Sequence, residues 1–224
     1  MREVPDATGR FKMRPHYDLR ELDRACERLL GDFFRKDLGS IPVPIVTDDL
    51  TRLIEGHVSD FDPGSDLSAY GVDVEGVTEF KPGRKPRVRI SAALAYDERR
   101  ENRYRTTLTH ELGHVHFHSY LFELDQRQVK SPRFQVCKRE TMIGAPQRDW
   151  MEWQAGYVCG ALLMPATALR RIVMSFLQDL SPSTKQVTES SRNADDLVQL
   201  VKEKFKVSAD AARVRLMAFG VIVR

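Results

Sequence analysis

The stretch Thr107-Leu108-Thr109-His110-Glu111-Leu112-Gly113-His114-Val115-His116-Phe117-His118 constrains this chain more than any other. It contains His-Glu-x-x-His, and a helix is the regular structure that gives that spacing a purpose. Residues four apart lie about 40° apart around a helix axis, so His110 and His114 project from one face. Both imidazoles can reach one metal ion there, and histidine-rich coordination of this kind is typical of zinc. Glu111 falls at the edge of the same face, where it can take a proton from a metal-bound water. Leu108, Leu112 and Val115 form a narrow apolar stripe on the other side, which predicts a helix anchored in a core with its histidine face turned to a cleft. Gly113 costs a helix interior roughly 1 kcal/mol, so its presence predicts a second segment packed closely against it.

A catalytic metal site needs a third protein ligand. His118 lies on the same face as both histidines, but roughly 12 Å along the axis from His110 at 1.5 Å of rise per residue. That span is too long for one ion on a straight helix, and His118 fits better as a cleft-wall residue beside the ligands. Glu152 is the stronger candidate. It opens a second helix in Asp149-Trp150-Met151-Glu152-Trp153-Gln154-Ala155-Gly156, with Gly156, Cys159 and Leu163 on its own side. Small residues beneath a ligand allow two helices to approach. A surface glutamate favoured by the helix dipole is the alternative.

The remaining sequence frames this pair of helices. At 224 residues, 42% hydrophobic and 30% charged, the chain has the composition of an ordinary globular protein, and its net charge of +3 does not by itself argue for nucleic acid. No apolar run approaches the roughly 20 residues of a membrane span, and Met1-Arg2-Glu3-Val4-Pro5-Asp6 lacks an apolar signal region. The cysteines, Cys26, Cys137 and Cys159, are too widely spaced for a disulfide framework. The expectation is a cytoplasmic protein with no membrane partner.

Along the chain, residues 1–14 read as an arm without fixed structure and 15–180 as the main domain. Asp18 caps a helix carrying Leu19, Leu22, Cys26, Leu29 and Leu30, and Thr47 caps a short one with Leu50, Leu53 and Ile54. Residues 56–66 read as a loop, and 69–90 as a small, antiparallel or mixed sheet ending in a strand from Arg87 to Ser91. The charged run from Asp97 to Arg105 reads as a solvated helix start. Residues 119–149 are expected to line the cleft, and 181–192 to form a linker. Last come two helices, 194–205 and 208–219, with Ser208 and Gly220 as caps.

The pairing of His110-Glu111-Leu112-Gly113-His114 with Glu152-x-x-Ala155 and a helix ending Leu162-Leu163-Met164-Pro165 resembles the ImmA/IrrE-type metallopeptidases. The resemblance covers roughly residues 15–220. Family members often carry Asn at the position of Gly156 and Phe-Ala at Val158-Cys159. The resemblance implies an α+β, zincin-like domain, mostly helical, with a C-terminal helical pair. It implies Zn2+ on His110, His114 and Glu152, with Glu111 as general base. The implied substrate is a protein, a helix-turn-helix transcriptional repressor. A further oxyanion donor is expected among His118, Tyr157 and Tyr104, which the sequence does not rank.

Two rivals come from other classes. The C-terminal segment, 193–224, has helix-turn-helix proportions, and Arg213 and Arg215 could meet phosphates. Packing is preferred to direct DNA binding, because Leu197, Leu200, Val201, Phe205, Val214, Leu216 and Phe219 form apolar faces that need burial. A regulatory module with a sensing metal is the other rival, although sensing alone does not require Glu111. Cys137 could in principle cap the metal. Oligomeric state is not readable.

Overall fold

The computed structural model describes residues 1–35, 39–81, 83–124, 133–138 and 149–224, with Leu124 and residues 133–138 described by backbone alone. The chain divides into two compact units. Met1–Leu22 with Val46–Cys159 forms the first, and Asp23–Ile45 with Gly160–Arg224 the second. The expected linker at 181–192 therefore falls inside the second unit.

In the first unit, β1 (Arg2–Pro5) pairs antiparallel with β2 (Met13–His16), Arg2 opposite His16 and Pro5 opposite Met13. This corrects the expectation of an arm without fixed structure. Neither strand carries an apolar alternation that would announce it. The hairpin is held instead by contacts far along the chain, described below. Helix α1 (Leu19–Phe34) follows and contributes residues to both units. Asp18 caps it as expected: its Oδ1 accepts from Glu21 N at 2.8 Å while Glu21 Oε2 accepts from Asp18 N at 3.0 Å. Helix α2 (Thr47–Glu55) buries Leu50, Leu53 and Ile54; Val46 and not Thr47 holds its cap position, and the Thr47 hydroxyl donates to Glu101 at 2.7 Å.

The main sheet of this unit contains β3 (Asp60–Ser65), β4 (Val74–Phe80), β5 (Arg87–Ser91) and β6 (Arg133–Lys138) in the order β3-β5-β4-β6. β3 runs parallel to β5, and the other pairs are antiparallel, so the sheet is mixed. Residues 60–65 were expected to be loop because Asp-Phe-Asp-Pro-Gly-Ser has turn composition. An edge strand tolerates Pro63 where its pairing is interrupted, and the register shifts between Asp62 and Ser65. β4 is buried along its whole length.

A short helix, α3 (Ala92–Ala95), leads to α4 (Glu101–Leu124), the helix with the His-Glu-x-x-His spacing. The charged run that starts it is not simply solvated. Arg100 and Arg103 both pair with Glu75 of β4, which is buried, and Arg105 is buried as well. α4 then packs along β4. Strand periodicity puts Gly76, Thr78 and Phe80 on one face, and Phe80 stacks on Phe122 of α4 with ring centres 4.0 Å apart. The apolar stripe Leu108, Leu112 and Val115 is buried, but so are Thr107, Thr109, His110, Glu111, His114 and His118. The middle of the helix is thus enclosed on all sides, whereas amphipathic reading predicted one open face. Most of residues 119–149 lie outside the described residues; what is described is the end of α4, β6 and Asp149.

Helix α5 (Trp150–Leu163) gives its residues up to Cys159 to the first unit and the rest to the second. The second unit also holds α6 (Ala166–Leu180), β7 (Val187–Thr188), α7 (Arg192–Phe205), α8 (Ala209–Ala218) and β8 (Ile222–Val223). Ser191 and Ser208 cap α7 and α8 through their hydroxyls, and β7 pairs with β8 in parallel. Leu197, Val201, Phe205 and Leu216 are buried, while Val214 is exposed. Arg215, considered for phosphate contact, is buried instead: its guanidinium donates to Asp23 at 2.7 Å and to the Met164 carbonyl at 3.3 Å. Arg213 pairs with Asp195 at 2.7 Å. No single helix among the described residues is long and apolar enough to cross a membrane.

Candidate metal centre

The helical repeat of α4 brings His110 and His114 together without help from elsewhere. Their Nε2 atoms lie 3.1 Å apart on one side of the helix. Glu152 reaches them from α5 because the two helices approach unusually closely. A Cβ on Gly113 would lie 3.2 Å from the Ala155 Cα and 3.3 Å from Val158 Cγ1, so glycine is what the crossing accommodates. The predicted close partner of Gly113 is therefore Ala155 and Val158. Cys159 also faces α4, its thiol sharing a hydrogen bond with Thr109 Oγ1 at 3.2 Å.

The start of α5 is fixed by the N-terminal hairpin. Asp149 accepts from the Met151 and Glu152 amides at 3.2 and 3.4 Å, and Arg10 pairs with Asp149. Trp150 Nε1 donates to Asp6 at 3.0 Å, and Gln154 Nε2 donates to the Pro15 carbonyl at 3.2 Å. Phe11 packs edge-on against Trp150 and Phe122, and the Arg14 guanidinium lies over the Trp150 ring. These contacts settle the position of the first turn of α5, and Glu152 lies in that turn.

The result is a triangle of buried donor atoms. Glu152 Oε2 is 3.2 Å from His110 Nε2 and Glu152 Oε1 is 3.2 Å from His114 Nε2, with the two nitrogens 3.1 Å apart. A tetrahedral ion with nitrogen and oxygen bonds of about 2.0–2.1 Å holds its ligand atoms about 3.3 Å from one another. The donor set fits such an ion in type and in spacing, and His110, His114 and Glu152 form a group able to hold one. Burial alone would raise the Glu152 pKa, but the two histidines hold its carboxyl well below the usual range. Burial likewise opposes a charge on His114, and Glu152 more than offsets it, raising that imidazole.

Glu111 sits beside the triangle, fully buried. Thr78 of β4 donates its hydroxyl to Glu111 Oε2, while Oε1 has no hydrogen-bond partner among the described residues. A Cβ at residue 76 would come within 2.3 Å of that Oε1, so Gly76 is the opening in the strand through which the carboxylate fits. Burial pushes Glu111 up to about 7, against the opposing charge of His114 and the Thr78 hydroxyl. Gly76 and Thr78 were not singled out from the sequence. A glycine inside an otherwise regular strand is the signal that could have found the first, since it marks a close approach.

His118 lies one turn beyond His114 and is bonded to it, Nδ1 to Nδ1, at 3.0 Å; its Nε2 is 3.1 Å from Gln154 Oε1. Burial and the adjacent His114 push it well below the ordinary imidazole range. Tyr104 shares a hydrogen bond with Thr51 of α2, and Tyr157 stacks on Trp153 with ring centres 6.2 Å apart. Burial pushes the Cys159 thiol up to about 11, which leaves it unreactive. The Cys137 side chain lies outside the described residues.

The arrangement is a buried group able to hold a metal ion with an enclosed carboxyl group beside it. Residues 77–217 match the Peptidase_M78 family, described as the IrrE N-terminal-like domain, and with more than half of the chain matched the protein belongs to that family. It is thus a metallopeptidase by family, in agreement with the resemblance read from the motifs. A search of curated proteins gives no match.

Proposed function

We propose that the protein is a zinc-dependent endopeptidase with a gluzincin-like, zincin-type site that cleaves a peptide bond in a protein substrate. The observation that carries this reading is the triangle of His110 Nε2, His114 Nε2 and Glu152 carboxylate atoms, with Glu111 enclosed beside it. Zinc fits two imidazoles and one carboxylate, and when bound it would polarise the scissile carbonyl and acidify a water.

Glu111 accepts the proton of the attacking water and passes it to the leaving amine. Its environment suits both steps. The Thr78 hydroxyl occupies Oε2 and fixes the carboxylate's orientation, which leaves Oε1 to carry the proton. Burial favours the protonated form of Glu111, which suits a group that must take up a proton during the reaction. Of the tyrosines considered as oxyanion donors, Tyr104 bonds to Thr51 and Tyr157 stacks on Trp153, and the choice between them and His118 stays open. The substrate class that goes with the family resemblance is a helix-turn-helix repressor, and a role in transcriptional stress responses follows from it. A cytoplasmic setting belongs to the same proposal.

Glu111→Gln separates this reading from a sensing or regulatory module. The variant is expected to keep its metal and to lose cleavage of a repressor substrate by about 100- to 10,000-fold. Full cleavage by the variant would remove Glu111 from the mechanism. A wild-type protein that binds metal but cleaves none of a panel of helix-turn-helix repressors would favour the sensing module.

A further inference from the structure

The buried polar groups behind His114 form a chain whose direction can be worked out from one end. The Pro15 carbonyl can only accept, so the end of Gln154 facing it at 3.2 Å is the amide nitrogen. The other end, Oε1, can only accept, and it lies 3.1 Å from His118 Nε2. His118 Nε2 therefore carries a proton. In a neutral imidazole the other nitrogen is then bare, and His118 Nδ1 accepts from His114 Nδ1 at 3.0 Å. With its proton on Nδ1, His114 turns a lone pair on Nε2 toward His110 Nε2 and Glu152 Oε1. The opposite tautomers would place an N–H where a ligand lone pair is required.

We propose that Gln154 and His118 are positioning residues that hold His114 in its metal-binding tautomer, and that the N-terminal hairpin, through the Pro15 carbonyl, sets the direction of this relay. The inference rests on the reading of His110, His114 and Glu152 as the metal ligands. The enclosure of the chain strengthens it. Gln154 is 1% exposed and His114 and His118 are 0% exposed, so solvent does not compete for these bonds. Trp150 closes one side of His118, its ring edge-on with centres 5.5 Å apart. His110 supplies an internal contrast: its Nδ1 has no hydrogen-bond partner among the described residues. The relay thus singles out one of the two histidines. Groups behind a metal-bound imidazole fix its tautomer and orientation, and removing them typically costs 10- to 100-fold in metal affinity.

The test is long-range proton–nitrogen NMR on histidine-labelled, zinc-loaded protein at alkaline pH, paired with zinc titration against a competing chelator. Wild type is expected to show His118 protonated at Nε2 and His114 at Nδ1, each as a single tautomer. Gln154→Leu is expected to leave His118 as a tautomer mixture and to weaken zinc binding about 10- to 100-fold. Gln154→Glu retains an acceptor for His118 and is expected to restore both the tautomer and most of the affinity. Gln154→Leu with unchanged tautomers and affinity would overturn the inference. Because the wild-type spectrum decides by itself, misfolding of a variant does not remove the test: His118 protonated at Nδ1 in a wild type that binds zinc overturns the relay alone. A wild type that binds no zinc overturns the metal-centre reading, and the relay's purpose with it.

Discussion

The two helices that supply the candidate metal ligands are built in opposite ways. On α4 the helical repeat alone places His110 beside His114, and Glu111 follows as the next residue. On α5 nothing local aims Glu152. Its position depends on Gly113 admitting Ala155, on Asp149 capping the helix, and on Asp6, Arg10 and Pro15 holding the first turn from more than a hundred residues away. One half of the centre is thus set by spacing and the other by packing. Damage to what seats Glu111 is expected to act on chemistry, and damage to what places Glu152 on metal retention.

Gly76→Ala probes the α4 half most severely. The new methyl would collide with Glu111 Oε1, and a displaced base is expected to lower turnover about 100-fold while zinc content stays unchanged. Parallel loss of zinc and activity would show that β4 supports the ligands as well as the base. Gly113→Val acts on the α5 half and should invert the pattern. Its side chain would meet the Ala155 backbone, which cannot yield as a side-chain tip can, and zinc affinity is expected to fall about tenfold, within the range for groups that support metal ligands. Undiminished affinity would mean that the close crossing is incidental.

Asp6→Asn is expected to have the smallest effect. In the folded chain Asp6 is partly buried, which raises its pKa, but hydrogen bonds from Thr8, Phe11 and Trp150 outweigh burial and bring it below its ordinary 3.8. A lowered folded pKa contributes stability that is complete above 3.8 and disappears as pH falls through the folded value. Wild type should therefore melt slightly above the variant at neutral pH and converge with it in acid. A gap that widens on acidification would contradict the assigned hydrogen bonds.

The same contrast explains what could be read from the sequence. His110, Glu111, His114 and the crowding at Gly113 were legible because each follows from helix periodicity or from the cost of glycine in a helix. Glu152 needed a second motif beside it. The strand at 60–65 was hidden because turn-forming residues are extended there by pairing with β5. The hairpin at 2–16 was hidden because Asp6 and Arg10 look like ordinary surface charges until Trp150 and Asp149 are brought to them. Gln154, between Trp153 and Ala155, carries no local signal at all. At Arg215 the reading preferred over phosphate contact, packing, is what the structure shows: the guanidinium is buried against Asp23.

The central claim is that α4 and α5 meet at one metal ion. Metal content of protein purified without added metal, measured together for wild type and Glu152→Ala, tests it most directly. The account predicts about one equivalent of zinc per wild-type chain, as one three-ligand site requires, and a sharp reduction in the variant. Zinc retained in full by Glu152→Ala would contradict it.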